Sequence, residues 1–306
     1  MRTDVEFQSC GTTVRGHFYT PDGSEGPFPV VVMAGGWCYV KELVQPDYAA
    51  KFVEAGIAAL VFDYRNFGDS DGDVRQHIDP WEQIEDYRNA ISFVERRDDV
   101  DASRIGLWGI SYSGGHVLVV GATDPRVRCI VSNIPVVDGQ QSMQLAHGSL
   151  SYRALSDLIL EERRKRSETG EYGYMPMSST DPTSELVTWP FPEVTEAFVA
   201  LKEREAPNHE HRNTIASVEN LIQYNVLPWV SRIHNVPTLM TVAEKDDITT
   251  WDEEIRMYNR IPTAKKKLFV FEETSHMTLY SNKSRLEIAA EVGRDWLVEH
   301  LVPDLG

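Results

Sequence analysis

Four apolar, β-branched runs, separated by helix-like segments, dominate the first half of the chain. Pro29–Ala34 is almost wholly apolar, and Ile57–Asp63, Ile105–Trp108 and Val127–Ile134 read as three further strands built around apolar residues. Strands of that kind are buried on both faces, as in a parallel sheet flanked by helices. Pro46–Ala55, stopped by Gly56, reads as a helix, and so does Gly114–Ala122. Pro80–Arg96 places Trp81, Ile84, Tyr87, Ile91 and Val94 on one helical stripe. Before these, Val5–Tyr19 alternates polar and apolar residues around Gly11, the pattern of a β-hairpin. Strand–helix alternation of this kind predicts an α/β fold with a doubly wound, mostly parallel sheet.

The rhythm stops after Asp138. Gly139–His234 holds helical segments and several prolines but no clear buried strand. The strand pattern resumes at Pro237–Ala243 and Leu268–Phe271, and an amphipathic helix, Ser284–Leu301, closes it. The expected organisation is therefore one core domain, residues 1–138 and 235–306, with a mainly helical cap, residues 139–234, inserted between two strands. A chain of 306 residues fits one large α/β domain carrying such an insertion. The mixed-charge run Glu161–Arg166 reads as a solvated helix face.

Charge narrows the partners. Thirty Lys and Arg against 47 Asp and Glu leave a formal net charge of -17. Such a chain is repelled by nucleic acid and by anionic membranes. Cys10, Cys38 and Cys129 are too few and too scattered for a disulfide framework or a zinc site, and Cys129 reads as a small core residue. The first residues, Met1–Glu6, lack the apolar stretch of a signal peptide, and no apolar run is long enough to span a bilayer. The expected location is the cytoplasm.

The strongest chemical signal is Gly109-Ile110-Ser111-Tyr112-Ser113-Gly114-Gly115. Ser111 falls between a buried strand and a helix start, flanked by small residues. A serine hydroxyl is a weak nucleophile, and a sharp strand-to-helix turn exposes it to a base and to substrate. The usual pattern is G-x-S-x-G; here Ser113 replaces the last glycine. Ser113 is the rival hydroxyl, but it lies past the turn's apex.

A nucleophilic serine needs a base, and the base an orienting acid. On sheets with such an elbow the acid follows the serine in chain order and the histidine follows the acid. Of nine histidines, His276 and His300 follow the next acid-bearing strand end. His276 lies in a loop after a strand, where a base is needed; His300 lies near the end of the last helix. Beyond Thr238–Ala243 the chain reads Ala243-Glu244-Lys245-Asp246-Asp247. Asp246 is the acid by its spacing from the strand end. Asp247, which suits a turn or cap, and Asp138, after the preceding strand, are the alternatives.

An oxyanion needs preorganised N–H donors. One is the backbone of Tyr112. The other is expected in Gly35-Gly36-Trp37-Cys38-Tyr39, where glycines let the backbone approach a ligand. Trp37 either supplies that N–H, its indole facing the acyl pocket, or is a core residue beside a tight turn. Gly36, Trp37 and Tyr112 are the expected substrate-contacting residues. His116 reads as a packing residue, and Asp63 with Arg65 as a pair bracing loops. His209 and His211 lie in a polar segment without a third ligand and read as a solvated loop. With no P-loop and no dinucleotide fingerprint, neither a cofactor nor a metal is expected.

With these residues in place, the chain resembles the α/β-hydrolase superfamily. It is similar to the dienelactone-hydrolase-like and X-Pro-dipeptidyl-peptidase-like serine hydrolases, including the fungal polyketide transferase group. The resemblance is carried by Val30–Gly36, Phe62–Gly72, Ser111 with Gly114-Gly115-His116, Glu244-Lys245-Asp246 and Ser275-His276. Two departures stand out. Gly35 occupies a position where the family commonly has histidine, and dienelactone hydrolase itself uses a cysteine where this chain has Ser111.

What the resemblance implies is the α/β-hydrolase fold and a cofactor-independent serine hydrolase. Ser111, His276 and Asp246 would cleave an ester, thioester or lactone through an acyl-enzyme. The same triad serves an acyltransferase with an alcohol acceptor, and the fold also serves non-catalytic binding proteins. Tyr172, Tyr174, Met175, Met177, Trp189, Phe191, Phe198 and Trp229 make the cap rich in apolar, adaptable side chains. The expected partner is a small apolar acyl compound; the same residue types would also serve a homodimer.

Overall fold

The computed structural model describes residues 1–302. Strands β1 (Arg2–Ser9) and β2 (Thr12–Tyr19) form the N-terminal hairpin. There follow β3 (Phe28–Ala34), α1 (Gln45–Glu54), β4 (Ala58–Phe62), α2 (Pro80–Glu95), β5 (Val100–Ile110), α3 (Tyr112–Thr123) and β6 (Val127–Asn133). The inserted segment carries α4 (Gly139–Thr169), β7 (Tyr174–Pro176), α5 (Pro192–Arg204), β8 (Arg212–Thr214), α6 (Ile215–Gln223) and α7 (Leu227–Val230). The chain returns through β9 (Thr238–Ala243), α8 (Trp251–Arg260), β10 (Lys266–Phe271), α9 (Thr278–Ser281) and α10 (Lys283–Leu301).

Eight strands form one sheet in the order β1-β2-β4-β3-β5-β6-β9-β10. The hairpin joins it antiparallel, with Gly16 opposite Phe62, and all pairings from β4 to β10 are parallel. β3 and β4 are buried along their whole length, as their uniform apolar sequence requires. Successive strand residues face opposite sides. Ile130 meets Gly121 of α3, whereas its neighbour Val131 meets Gly293 of α10. Helices therefore cover both faces, with α1 against α10 and α2 against α3.

Local chemistry places these helices. Pro80 opens α2, and the Asp79 side chain accepts from the N–H groups of Trp81 (2.8 Å) and Glu82 (3.3 Å). Asp138 caps α4 through Gln141 N–H at 3.1 Å, and Asn282 caps α10 through Arg285 N–H at 3.2 Å. Asp138 also accepts from Asn225 Nδ2 at 2.7 Å, tying the start of the insertion to its end.

Three expectations need correction here. The inserted segment contains a short antiparallel ribbon, β7–β8, pairing Met175 with Asn213. Three-residue strands are too brief to leave an alternation in the sequence. Trp81 does not belong to the buried stripe of α2; it is exposed and packs on Trp229, with ring centroids 5.7 Å apart. Within the charged run of α4, Glu162 is buried and paired with Arg166 at 3.0 Å, while Glu161, Arg163, Arg164 and Lys165 are exposed. Among the described residues no helix is long and apolar enough to cross a membrane.

The insertion docks on the loop after β4 largely through hydrogen bonds. Thr214 N–H donates to the Gln76 carbonyl (3.1 Å), Ile78 N–H to Ser217 Oγ (2.8 Å) and Asn220 Nδ2 to the Ile78 carbonyl (3.0 Å). It thereby lies over the C-terminal strand ends, where doubly wound sheets hold their ligands.

Candidate active site

Ser111 sits at the junction of β5 and α3 with φ 57° and ψ -117°, in the left-handed half of conformational space. Its backbone is held on both sides: Ser111 N–H donates to the Asn133 carbonyl at 2.9 Å, and Val136 N–H donates to the Ser111 carbonyl at 3.0 Å. Such a strained non-glycine residue persists only where its surroundings over-determine it. Ser113 is fully buried and its hydroxyl is occupied, accepting from Ile110 N–H and donating to the Ala34 carbonyl, both at 2.8 Å.

His276, in the loop between β10 and α9, closes on Ser111. The Ser111 hydroxyl donates to His276 Nε2 at 3.1 Å, and His276 Nδ1 donates to Asp246 Oδ2 at 2.7 Å. Asp246 follows β9, and its Oδ1 accepts from the N–H groups of Ile248 (3.0 Å) and Thr249 (2.9 Å). Burial alone would push the Asp246 carboxyl up. The charge of His276 and these hydrogen bonds outweigh it, holding the carboxyl below its ordinary value.

The rival residues have other employment. Asp247 is exposed, and burial of its surroundings moves its carboxyl upward rather than down. Asp138 caps α4. His300 packs its ring on Trp296, with centroids 4.2 Å apart. His116 is fully buried between Tyr224 Oη and Gln83 Oε1, each 2.9 Å away; burial pushes its imidazole down to about 3.

The glycine loop after β3 reaches the serine. A side chain on Gly36 would come within 3.1 Å of Ser111 Cβ and 3.5 Å of Oγ. A Cβ at position 35 would strike the Tyr39 ring at 2.1 Å, so the aromatic ring fills the space that a side chain at Gly35 would need. Among the described residues no acceptor takes the backbone N–H of Trp37 or of Tyr112. The first N–H groups of a helix lack an intrahelical partner, which accounts for Tyr112. The Trp37 indole faces Tyr112 with centroids 5.2 Å apart and donates to Asn213 Oδ1 of β8 at 3.0 Å.

Ser111 and His276 open onto a narrow pocket between the core and the insertion. The core contributes Trp37, Tyr39, Ile248, Met277 and Tyr280; the insertion contributes Met177, Trp189, Val194 and Phe198. Among the described residues, no Asp, Glu, Lys or Arg lines it. Of the aromatic and methionine residues expected to form a cap wall, three do so: Met177, Trp189 and Phe198. Tyr172 instead packs on His77, Tyr174 lies under Arg212, Met175 is buried in the ribbon, and Trp229 meets Trp81. Phe191 flanks the start of α5 and packs on the apolar core.

Two further expectations are corrected. His209 is not solvated: it is 1% exposed, its Nδ1 lies 3.1 Å from the Cys38 carbonyl, and its ring tilts on Phe198 at 5.0 Å. His211 Nε2 is 2.7 Å from Ser178 Oγ. The polar segment is covered by the loop after β3, distant in sequence, and by α5, which shortly precedes it. Likewise Asp63 and Arg65 do not pair with each other. Asp63 accepts from Lys41 N–H (2.6 Å) and Nζ (2.9 Å), and Arg65 grips Asp86 with its guanidinium at 2.7 Å.

Sequence reading missed Tyr39, Thr249 and Tyr280. Tyr280 stacks on His276, with centroids 5.5 Å apart, and places its hydroxyl 3.4 Å from Nε2. Its position four residues after His276, at the spacing of one helical turn, is a signal that could have found it.

The model of the X-Pro dipeptidyl-peptidase (S15) family matches residues 11–278, from the hairpin to the loop that carries His276. The chain belongs to that family. This S15 member is 28% identical over 278 residues to thiohydrolase aneE of Aspergillus aculeatus, covering 90% of this chain and 86% of that one. It is 28% identical over 290 residues to polyketide transferase claH of Penicillium crustosum, covering 91% of each. The solved α/β-hydrolase GrgF from Penicillium sp. superposes with a TM-score of 0.81 at 24% identity, over 99% of this chain and all of that one. The S15 member thus has the α/β-hydrolase fold anticipated from its strand rhythm, with an inserted helical segment between β6 and β9.

Proposed function

We propose that the protein is a serine hydrolase acting on a small, apolar ester, thioester or lactone. The observation that carries this reading is the hydrogen-bonded chain Ser111–His276–Asp246 opening onto an apolar pocket. Ser111 Oγ attacks the acyl carbonyl while its proton passes to His276 Nε2. Asp246 stabilises the imidazolium that results and holds the ring in its reactive tautomer. The oxyanion takes the N–H groups of Trp37 and Tyr112, with Gly36 leaving room for its approach. The tetrahedral adduct collapses as His276 gives its proton to the leaving alcohol or thiol, leaving an acyl-serine. His276 then takes a proton from water, which attacks the acyl carbon, and the second adduct releases the acid and restores Ser111.

The narrow pocket, walled by aromatic and methionine side chains of both the core and the insertion, supports a small acyl group. Its lining supports an uncharged one, because a buried charge without a partner is strongly disfavoured. A second reading, transfer of the acyl group to an alcohol, is supported by the likeness to a named polyketide transferase. Nothing in the pocket marks a second substrate, so water is the acceptor we favour.

The test is labelling and product partitioning. A fluorophosphonate should add once to the protein, and Ser111→Ala should abolish both the adduct and the hydrolysis of short acyl thioesters and esters. An adduct that survives this change overturns the assignment of Ser111. Predominant new ester, rather than free acid, at low alcohol concentration would turn the reading to acyl transfer.

A further inference from the structure

Behind the Asp246–His276 pair lies a second carboxyl that the reaction above does not use. Glu254, in the first half of α8, is 0% exposed. Its Oε1 accepts from the Thr249 hydroxyl at 3.0 Å, and its Oε2 has no partner among the described residues. Thr249 Oγ1 lies 3.4 Å from His276 Nδ1, and Thr249 N–H donates to Asp246 Oδ1 at 2.9 Å. A line of polar contacts therefore runs from Glu254 through Thr249 to the imidazole, alongside the Asp246 contact.

The charges around this line are all acidic. His276 faces Asp246 at Nδ1, and Ser111 and the Tyr280 hydroxyl at Nε2; exposed Asp247 is on the same loop as Asp246. Glu254 faces Thr249, with Asp246 and Asp252 as its charged neighbours, and among the described residues no cation pairs with it. Burial, and then the charge of Asp246, push its carboxyl well above the ordinary range.

A threonine hydroxyl has one proton to give. While Glu254 accepts it, a lone pair of Thr249 Oγ1 is left for His276 Nδ1–H. We propose that Glu254 is a positioning residue of the triad: by accepting the Thr249 proton it provides the imidazolium with a second acceptor beside Asp246. The inference rests on the triad reading given above. Without Glu254, the Thr249 proton turns to the adjacent Asp246 carboxylate. The Thr249 lone pairs are then no longer held toward Nδ1, and the Asp246 charge facing the imidazolium is weakened.

The experiment is the pH dependence of kcat/KM for Ser111-dependent hydrolysis. Neither Glu254 nor Thr249 lines the acyl pocket, so their loss should lower kcat and leave KM unchanged. Thr249→Val should move the acid limb to lower pH by about half a unit to one unit, the scale of one neutral hydrogen bond. Glu254→Leu should do the same, and the double variant should shift no further than either single one. Glu254→Gln, which keeps a neutral acceptor for Thr249, should recover the acid limb and most of kcat relative to Glu254→Leu. If Glu254→Leu fails to fold, Thr249→Val and Glu254→Gln alone decide: the first must shift and the second must not. An unmoved acid limb in folded, probe-labelled Thr249→Val overturns the inference. So does a shift in Glu254→Gln as large as that in Thr249→Val, or additive shifts in the double variant. Ser111→Ala is the parallel control. If it retains activity, the triad reading fails and takes this inference with it; if it abolishes activity while the limb stays put, this inference alone fails.

Discussion

Ser113 Oγ bridges the two strands that frame the elbow, accepting from Ile110 N–H in β5 and donating to the Ala34 carbonyl in β3, each at 2.8 Å. Where a glycine would complete the usual elbow pattern, this serine is a structural tie. Ser113→Ala would leave a buried N–H and weaken the satisfaction of a buried carbonyl, a loss of about 1–3 kcal/mol. We expect a lowered thermal midpoint with fluorophosphonate labelling of Ser111 intact. Lost labelling in a folded Ser113→Ala protein would mean that Ser113 acts in the chemistry.

Asp246 and Asp247 are adjacent yet face different surroundings, one buried against His276 and one exposed. Asp246→Asn keeps the shape but removes the charge that stabilises the imidazolium, so kcat should fall by about three to four powers of ten. Asp247→Asn should stay within about tenfold of the parent. Steady-state kinetics on one activated ester checks both, and the reverse order of effects would move the acid by one residue.

How much of this could be read in the residues themselves depends on where the determinants lie. The strands β3 and β4 are visible because burial on both faces leaves an uninterrupted apolar run, and β6 by its apolar centre, Cys129–Val131. β5 is longer than its apolar centre, Val100–Ile110 rather than Ile105–Trp108, because its first half is polar and partly exposed. Ser111, Asp246 and His276, which the structure brings within hydrogen-bond reach, could be singled out because each follows a recognisable strand end and chain order does the rest. His209 defeated the same reasoning: a polar neighbourhood looks solvated unless one knows that the Cys38 loop comes back to cover it, with Phe198 of the preceding helix packed on its ring. Tyr39 and Thr249 were missed for a related reason. Tyr39 owes its place to the empty side of Gly35, and Thr249 to a turn around Asp246, neither of which leaves a periodic signature.

Met177 and Trp189 line the pocket, whereas Met175, two residues from Met177, lies in the ribbon and points to no part of it. Trp189→Ala or Met177→Ala should shift preference toward longer or bulkier acyl groups while Ser111 still labels. Trp229→Ala, which removes the stack on Trp81, should instead lower stability and leave chain-length preference unchanged. Rates on an acyl-ester series of increasing length, read beside thermal melts, separate the two effects. Equal preference profiles across all variants would mean that the inserted segment does not choose the substrate.

His116 makes stability depend on pH. Burial lowers its imidazole from an ordinary 6.5 to about 3, so between those values the unfolded chain binds a proton that the folded protein does not. Stability therefore falls as pH drops below 6.5, by about 1.4 kcal/mol per pH unit from this group, and levels off only near the folded value. His209, lowered to about 3 chiefly by burial, acts in the same direction. Asp63 opposes them, because burial raises its carboxyl to about 6 and acidification there favours the folded state. The measurement must therefore be a difference. Denaturant unfolding of the parent and of His116→Gln, at pH 7 and at pH 5, should give a stability gap between the two proteins that narrows toward pH 5. Gln can still meet Tyr224 or Gln83 but binds no proton in either state, so a gap that stays constant with pH would show that the His116 ring titrates alike in both states.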